Sequence, residues 1–445
     1  MPAALTELLT RRWFALWGLL LAMLAIGGRG FAYVGLPPLF VSEITLALGA
    51  AVFLLQPRWR QALRQPTAVL ILALMALGIV HTVPYLGEHG LDAARDYMLF
   101  GYAATALFVA CVVMSRPQLL GLALRRYQGF AKVFLVVMPL LWLLFQAAGD
   151  AMPTWPWADH VGLVELKPGD AAVHVGAVAA LCILGLFRGR SLFWMGLLCL
   201  LVGITGAVTR AGLVSFALAF GVAFAFRPRS QWAVRLVVVM AVIVTLAAVT
   251  DVSFKVEGRE REFSARQLLL NVTSTFVSSG GAGDLDQTKT WRLEWWEKIW
   301  GYTVEGPHFW TGKGFGVNLA TDDDFQVFED ESLRSPHNAT FTVLARTGVP
   351  GLVLWGAVNA AFLYVVANGY LSARHRGEPA WAMFFVFLLS YYAALTFNAS
   401  FDVFFEGPMG GVWFWSVVGL GYAGAWVFER HPEVLHDPAL EPREG

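Results

Sequence analysis

The sequence predicts an all-α polytopic membrane protein with about 12 transmembrane helices and one large loop outside the membrane. The first observation is composition, since 57% of the 445 residues are hydrophobic and 14% are charged, against about a quarter charged in soluble domains. The second is a series of long apolar runs, and the third is an uneven distribution of arginine and lysine between the loops. Together they exclude a soluble globular domain. The formal net charge of zero gives no indication of nucleic-acid binding.

Apolar runs of transmembrane length define the predicted helices. They cover residues 13–28, 38–56, 66–82, 96–114, 130–148, 171–187, 191–208, 211–226, 233–250, 351–371, 381–397 and 409–428. The first run follows two arginines, as in a signal peptide, but a transmembrane helix is favoured because apolar runs of the same kind follow it. The predicted organisation is helices one to nine in 1–250, a large loop with interfacial helices in 251–350, helices ten to twelve in 351–428, and a tail in 429–445 that is too short for a further domain.

Basic residues are concentrated in alternate loops, and this predicts how the chain is oriented. If the N-terminus is cytoplasmic, the cytoplasmic segments hold 18 of the 32 lysines and arginines. These are Arg11, Arg12, Arg58, Arg60, Arg64, Arg116, Arg125, Arg126, Lys132, Arg188, Arg190, Arg227, Arg229, Arg235, Arg374, Arg376, Arg430 and Arg443. The short loops of the other side hold Arg29, Arg95, Lys167 and Arg210. We therefore expect a multi-pass protein of a bacterial inner membrane, with both termini cytoplasmic and the 86-residue segment 251–336 in the periplasm.

The segment SPHNATFTVLARTGVPG, residues 335–351, begins with polar residues and breaks before its apolar run resumes. One straight helix through both parts would be about 52 Å long, well beyond a hydrocarbon core of about 30 Å. Pro350 lies in the break, lacks a backbone donor and disfavours helix at the residue before it. The sequence therefore predicts a short helix over 337–347 at the outer surface, with His337 in its first turn, and a transmembrane helix from about 351.

Taken by itself, His337 is also consistent with a surface histidine beside a helix cap at Asn338. Two arginines are predicted on the same side of the membrane as His337. Arg210 lies at a tight turn between two predicted helices, where an ionisable residue indicates a functional site or a side chain that reaches lipid headgroups. Arg292 lies in WRLEWWEKIW, residues 291–300, whose aromatics share one face of a helix predicted to lie on the outer surface. An ordinary cation on an amphipathic helix is the alternative for Arg292.

A glycine-rich run, GPHFWTGKGFG at 306–316, adds the weaker candidates His308 and Lys313. Alternating glycines let backbone approach a ligand closely and can form an anion-binding concavity. No strand is predicted before the run, so a dinucleotide-binding or phosphate-loop motif lacks its required context. Three aspartates at 322–324 are interpreted as a solvated loop rather than a metal site. No metal or cofactor is expected.

Two arginines and a histidine at one membrane surface fit one kind of chemistry. Arginine binds phosphate in a bidentate manner and stays charged, whereas histidine can accept a proton near neutral pH. The set suits a lipid-linked diphosphate donor and a hydroxyl acceptor. His337 would take the acceptor proton, and Arg210 and Arg292 would stabilise the charge on the departing diphosphate.

These motifs resemble the O-antigen ligase and polymerase superfamily. The resemblance lies in His337-Asn338 followed by Gly348-Val-Pro-Gly351, in Thr209-Arg210, in Arg292 before Trp296, and in Gly312-Lys-Gly314-Phe-Gly316. It covers about 200–355 by motif and the whole chain by topology. Threonine precedes Arg210 where the family more often has serine, and His174 stands where an asparagine-like residue is expected.

The resemblance implies a GT-C-like fold and a metal-independent, inverting glycosyltransferase with a periplasmic active site. It would transfer O-antigen polysaccharide from undecaprenyl diphosphate to a lipid A–core sugar in lipopolysaccharide biosynthesis. The implied partners are therefore the lipid-linked glycan donor, the lipid A–core acceptor and membrane lipids, and no nucleic acid. Weaker site candidates are Asn338, His308, Lys313, Lys167, His174 and Arg346.

Three alternatives stay open at this stage. A polymerase of the same superfamily often has two sizeable outer loops, and a protein O-oligosaccharyltransferase often has an extra C-terminal domain, so ligase is favoured over both. The third is a transporter or flippase, which needs polar residues at mid-membrane. The runs 191–208, 233–250 and 351–371 hold almost no charge, which favours chemistry at the surface.

Overall fold

The computed structural model describes residues 3–148, 151–189, 191–250, 253–255, 262–264 and 283–442. About 75% of the structure is helical, which confirms the predicted all-α class. Arg190, Arg443 and most of the segment 251–282 lie outside the described residues.

The helices are labelled in chain order. They are α1 (Ala3–Ala32), α2 (Val41–Leu54), α3 (Trp59–Leu63), α4 (Pro66–Thr82), α5 (Leu86–His89), α6 (Leu91–Gly101), α7 (Ala104–Ser115), α8 (Gln118–Ala148), α9 (Pro168–Ile183), α10 (Leu192–Val208), α11 (Arg210–Phe226), α12 (Gln231–Thr250), α13 (Gly283–Thr303), α14 (Leu319–Asp322), α15 (Ala339–His375), α16 (Pro379–Ala399) and α17 (Pro408–Arg430). Short antiparallel hairpins pair Gly35–Leu36 with Leu39–Phe40, Thr154–Trp155 with Ala158–Gly162, and Ser253–Lys255 with Glu262–Ser264.

A helix occupies each of the predicted transmembrane positions, but the helices differ in length. Six of those in the described chain are long and apolar enough to cross a membrane, and α6 and α7 pass the same test only when taken together, as a pair bent by 41°. The remaining positions carry the shorter apolar helices α2, α9, α10, α11 and α12. The chain therefore has the helices of a polytopic membrane protein, while the count of twelve spans stays a prediction.

The centre of the bundle is built from α9, α16 and α17. Their apolar stretches are largely buried, with 72% of α16 and 89% of α17 inside the protein, against 22% for α4. Glycines allow α17 to approach its neighbours closely, since a Cβ on Gly419 would lie 2.6 Å from the carbonyl oxygen of Ala106 in α7. The central helices thus carry close-packed small and aromatic residues, and the outer ones carry exposed aliphatic residues.

The large loop has a small apolar core of its own. Trp295 and Ile299 of α13 are fully buried against Leu319, Leu333 and Leu344. The predicted aromatic helix is therefore present, and its apolar face packs on the loop and on the first part of α15.

The break predicted before the tenth span is present in α15, at Gly348. This residue has φ 66° and ψ −165°, and a Cβ there would lie 2.3 Å from the carbonyl oxygen of Phe309, so the position requires glycine. The first part of α15 begins at Ala339 because Asn338 is its N-cap. His337 consequently precedes the helix, which corrects its predicted placement in the first helical turn.

The segment after α17 docks on the end of the bundle remote from His337. Leu435 and Leu440 are fully buried there, and Arg188 donates hydrogen bonds to the backbone carbonyl groups of Pro438 and Ala439. The predicted tail therefore packs across one end of the helices.

Candidate functional site

Several helix ends meet beside His337. The side chain of Asn398, in the last turn of α16, donates a hydrogen bond to Asp170 in the first turn of α9, at 3.1 Å. A Cβ on Gly169 would lie 3.1 Å from Asn398 Oδ1 and 3.9 Å from the hydroxyl of Thr209, which caps the N-terminus of α11. The start of α9, the start of α11 and the end of α16 therefore form one surface.

His337 faces a carboxylate that follows α16. Its Nδ1 lies 3.7 Å from Oδ1 of Asp402, and the ring also has an edge-on contact with Trp291, at 6.4 Å between centroids. The backbone of His337 has φ 53°, a left-handed conformation that is uncommon outside glycine and concentrates at functional sites. The strained turn and the N-cap at Asn338 hold the histidine just before the N-terminus of α15 instead of within the helix.

Asp402 is shared between His337 and Lys167, whose Nζ is also 3.7 Å from Oδ1. Burial raises the pKa of Asp402, but the neighbouring His337 ring and the charge of Lys167 outweigh burial and hold this pKa below its usual value. The carboxylate is therefore ionised at neutral pH and can orient the imidazole ring through Nδ1.

Arg292 and Arg210 add positive charge to this surface. Burial lowers the pKa of Arg292, and the carboxylate of Asp402 partly offsets the effect, so the two groups lie within electrostatic range. The guanidinium stays charged at neutral pH, and its Nε is buried without a hydrogen-bond partner in the described part of the chain. Arg210 is the first residue of α11, where the helix dipole also favours an anion.

The described residues of this surface include both cations and carboxylates. Lys167, Arg210 and Arg292 carry positive charge, whereas Asp402 and the buried Asp170 are the acidic groups. Cations placed beside a histidine can bind a charged group of a substrate where the imidazole can also accept a proton.

Three other candidate residues have roles within the fold. Asn338 accepts hydrogen bonds from the backbone N–H of Thr340 and Phe341 as the cap of α15. His174 is buried inside α9, with Nδ1 2.5 Å from the hydroxyl of Tyr391. His308 has its Nδ1 3.0 Å from the carbonyl oxygen of Gly312.

Lys313 is held by internal contacts of the loop. It lies 2.5 Å from Asp323, also pairs with Asp322, and packs over the ring of Tyr302. Its charge is therefore neutralised inside the protein.

Arg346 is almost fully buried, with 1% of its side chain exposed, and pairs with Asp96 at 2.9 Å. It also donates to the carbonyl oxygens of Gly314 and Val317. In the same glycine-rich run, the backbone N–H groups of Lys313 and Gly314 donate to carbonyl oxygens of α15. The run therefore packs the loop onto α15 instead of presenting these N–H groups to an anion.

The aspartate run at 322–324 departs in part from the predicted solvated loop. Asp324 is exposed, but Asp323 is fully buried and accepts hydrogen bonds from Trp295, at 2.8 Å, and Tyr302, at 3.3 Å. A buried indole needs an acceptor, and Asp323 supplies it, so the prediction is wrong for this residue. Within the described ranges, no group of three or more His, Cys, Asp or Glu side chains is placed to hold a metal ion.

The sequence reasoning missed Asp402, Asn398 and Asp170. All lie at the ends of apolar runs, where an ionisable or amide side chain close to hydrocarbon is itself a signal for function. No spacing along the chain links Asp402 to His337, because 64 intervening residues and a transmembrane hairpin separate them.

Comparison with known proteins bears on the same region. Residues 195–356 match the family model for O-antigen ligase. No curated protein matches the chain in sequence. The matched segment contains Arg210 together with Arg292 and His337, the two residues that lie near Asp402 in the structure. Over these residues the chain is similar to the O-antigen ligase family, as its motifs predicted.

Proposed function

We propose that the protein is an O-antigen ligase. It transfers O-antigen polysaccharide from undecaprenyl diphosphate to a hydroxyl group of a lipid A–core sugar, by an inverting mechanism that uses no metal. The observation that carries this proposal is the contact of His337 with Asp402 on a surface that also holds the cations Lys167, Arg210 and Arg292. The family match supports a glycan transferase acting on lipid-linked substrates.

His337 is the general base of the proposed reaction. Because Nδ1 faces Asp402, Nε2 is the atom left to accept the proton of the acceptor hydroxyl. The acceptor oxygen then attacks the anomeric carbon from the face opposite the diphosphate. The bond from that carbon to the diphosphate oxygen breaks, the diphosphate leaves with the electron pair, and the configuration inverts. Asp402 stabilises the imidazolium that results, as the carboxylate does in a catalytic triad.

The cations stabilise the leaving group. Negative charge grows on the diphosphate as the glycosidic bond breaks, and fixed donors aimed at such charge supply much of an enzyme's rate enhancement. Arg292 and Arg210 bind the diphosphate oxygens, and Lys167 adds a point charge beside Asp402. Asn338, His308, Lys313, His174 and Arg346 shape or stabilise the fold in this proposal.

The proposed orientation puts His337 on the periplasmic side of the inner membrane. The opposite end of the bundle carries the docked tail together with Arg125, Arg188 and Arg376, all from segments that the basic-residue rule assigns to the cytoplasm. Undecaprenyl diphosphate and lipid A then reach the site from the outer leaflet of that membrane.

The test is glycan transfer by purified protein in lipid nanodiscs with chelator present. The donor is undecaprenyl-diphosphate-linked glycan and the acceptor is core-completed lipid A. We expect a ladder of extended lipid A that falls by about 10²–10⁴-fold in His337→Ala. The matched control is His436→Ala, which removes another histidine beside a carboxylate, Glu378 at 2.8 Å, at the other end of the bundle. This control should transfer normally.

Other products would overturn the proposal. If lipid A stays bare while the lipid-linked glycan lengthens, the protein is a polymerase. Glycan on a protein hydroxyl would identify an O-oligosaccharyltransferase. If no acceptor is extended and the protein in proteoliposomes moves intact donor across the membrane, it is a flippase.

A further inference from the structure

A lateral groove lies among α1, α8, α16 and α17, with a cavity volume of about 320 Å³. Its lining includes Gly18 and Leu19 of α1, Arg126 and Phe130 of α8, and Phe387 of α16. Leu19 is 58% exposed, so the groove opens at the side of the bundle. In a membrane that side faces the hydrocarbon chains of lipids.

The groove lies toward the end of the bundle where the tail docks. Arg125, the residue before Arg126, pairs with Asp437 of the tail at 2.5 Å. His337 lies at the other end of the helices, so the groove is separate from the candidate site. In the predicted orientation its open side faces the cytoplasmic leaflet of the membrane.

The interior of the groove presents mainly hydrocarbon, and no Asp or Glu occurs among the described residues of its lining. Trp17 donates its indole proton to the hydroxyl of Ser416 at 3.0 Å, and Ser416 donates to the carbonyl oxygen of Val412 at 2.6 Å. The hydroxyl of Tyr391 lies 2.5 Å from Nδ1 of His174. These polar groups already have partners, so an occupant gains most by burying apolar surface.

Arg126 supplies positive charge to the lining. Its side chain is exposed, and within the described chain no carboxylate pairs with it, in contrast to Arg125. Arg12 lies two residues before Phe14, where the lining begins on α1, and it likewise has no ion pair with a described residue. Unpaired guanidinium groups beside an apolar groove complement a phosphate that carries a hydrocarbon chain.

The depth of the groove corresponds to one leaflet. On α1 the lining runs from Phe14 to Ala22, which is about 12 Å at 1.5 Å per residue. Half of a hydrocarbon core of about 30 Å is about 15 Å. The volume is at the lower end for ligand pockets, so it holds part of one chain. A fatty acyl chain of the adjacent leaflet fits this depth, whereas a polyisoprenoid chain is longer than the groove.

We propose that this groove is a binding site for one anionic phospholipid of the membrane. An acyl chain packs among α1, α8 and α16, and the phosphate lies beside Arg126 and Arg12. Basic grooves between transmembrane helices on the cytoplasmic side are typical binding places for such headgroups. The bound lipid joins α1 and α8 to α16 and so stabilises the bundle. The inference does not depend on the reaction proposed at His337.

The test measures lipid binding to the purified full-length protein in detergent, by native mass spectrometry. The probes are phosphatidylglycerol and phosphatidylcholine with identical acyl chains, and undecaprenyl phosphate is the competitor. Gly18→Phe fills the groove, since a Cβ at Gly18 meets nothing within 4 Å, and Arg126→Gln removes the charge. Replacing a helical glycine does not lower helix propensity, so Gly18→Phe should fold.

Two matched controls lie outside the groove. Gly129→Phe also enters open space, from an exposed position of α8 that does not belong to the lining. Arg235→Gln removes an exposed arginine of another predicted cytoplasmic segment, where its partner is the neutral side chain of Gln231 at 2.9 Å. Both controls should bind the two phospholipids like the wild type.

We expect the wild type to bind one phosphatidylglycerol about 10–30-fold more tightly than phosphatidylcholine, because each cation beside a lipid phosphate contributes about 5-fold. Gly18→Phe should weaken phosphatidylglycerol binding at least 10-fold. Arg126→Gln should weaken it about 5-fold and leave phosphatidylcholine binding unchanged. Added phosphatidylglycerol should raise the thermal midpoint of the wild type and have no such effect on Gly18→Phe.

Several outcomes would overturn the proposal. Equal affinity of the wild type for the two phospholipids would mean that the groove holds only unselected lipid. Equal losses in Gly18→Phe and Gly129→Phe would place the bound lipid elsewhere. Tighter binding of undecaprenyl phosphate than of phosphatidylglycerol would identify a site for polyisoprenoid chains. If Gly18→Phe does not fold, Arg126→Gln decides the question, and an unchanged preference for phosphatidylglycerol in that variant would also contradict the proposal.

Discussion

Two ion clusters involve residues of the segment 334–346, and they differ in how their charges are satisfied. The closed cluster consists of Asp96, Arg334 and Arg346, with both arginines 2.9 Å from the carboxylate and exposed by 19% and 1%. The open cluster consists of His337, Lys167 and Asp402, with separations of 3.7 Å and side chains 28%, 35% and 26% exposed. Close, buried contacts fix a fold, whereas loose, accessible ones leave charge available to a ligand.

The largest expected effect is the loss of stability when the closed cluster is opened. Arg346→Met should lower the free energy of unfolding by about 3–5 kcal/mol, because Asp96 is left buried with one arginine fewer. Denaturant unfolding in nanodiscs measures it. Arg376→Met is the matched control, since it removes an arginine from an exposed pair with Glu429 and should cost less than about 1 kcal/mol. Equal losses would mean that the closed cluster is not a structural element.

Substitution of Arg292, near the open cluster, should lower activity instead of stability. Arg292→Gln should leave stability nearly unchanged and lower kcat/KM for glycan transfer by about 10²–10³-fold, as expected when a donor to a leaving anion is removed. Steady-state transfer kinetics in nanodiscs provide the measurement. Lys298→Gln on the same helix, whose side chain pairs with the exposed Asp324, is the control and should keep its activity. A variant of Arg292 that unfolds but stays active while folded would assign Arg292 to the fold instead.

The contrast between the clusters also explains what the sequence could and could not predict. Apolar runs and the break before the tenth span were predictable, because hydrophobic length and a glycine–proline break act locally along the chain. Which of the arginines belongs to the candidate site was not predictable. Arg346 and Arg292 both lie beside apolar residues in sequence, and only the fold shows that Asp96 meets one of them while the other lies near Asp402.

The same limit applies to histidines and carboxylates. His174 and His337 both lie near the polar start of an apolar run, but α9 buries His174 against Tyr391 in the bundle. Asp402 is recognised as a site residue only in the fold, where the end of α16 lies beside the start of α15. Such contacts join residues far apart in the chain, so no local pattern encodes them.

Asp402 should show a smaller effect on rate than His337. Asp402→Asn keeps the shape of the side chain and removes the charge that orients the imidazole. We expect transfer to fall by roughly 10–100-fold, a part of the 10²–10⁴-fold that a general base supplies. Asp437→Asn, which removes the partner of Arg125 at the opposite end of the bundle, is the matched control for transfer kinetics and should have no effect. A loss as complete as that of His337→Ala would indicate that Asp402 contacts substrate directly.

The smallest effect is a dependence of stability on acid. The pKa of Asp402 is held below its unfolded value, so its ionised form favours folding. This contribution is fully present above about pH 4, the unfolded value, and is lost as the pH falls through the lower pKa of the folded state. Wild-type protein should therefore lose more stability than Asp402→Asn between about pH 5 and about pH 2.5. Because the carboxylate is partly exposed, the difference should stay below about 1 kcal/mol.

The cause of that acid dependence can be tested in the same experiment. His337 is the first of the groups that lower the pKa of Asp402 against the effect of burial. Removing the histidine should therefore reduce the contribution of the carboxylate to the free energy of unfolding. We expect the stability curves of His337→Ala and of the double variant His337→Ala with Asp402→Asn to differ less across the pH range than those of wild type and Asp402→Asn. Thermal midpoints provide the measurement. If the difference keeps its full size, Lys167 and the backbone N–H of Val403 hold Asp402 ionised, and the contact with His337 adds nothing to stability.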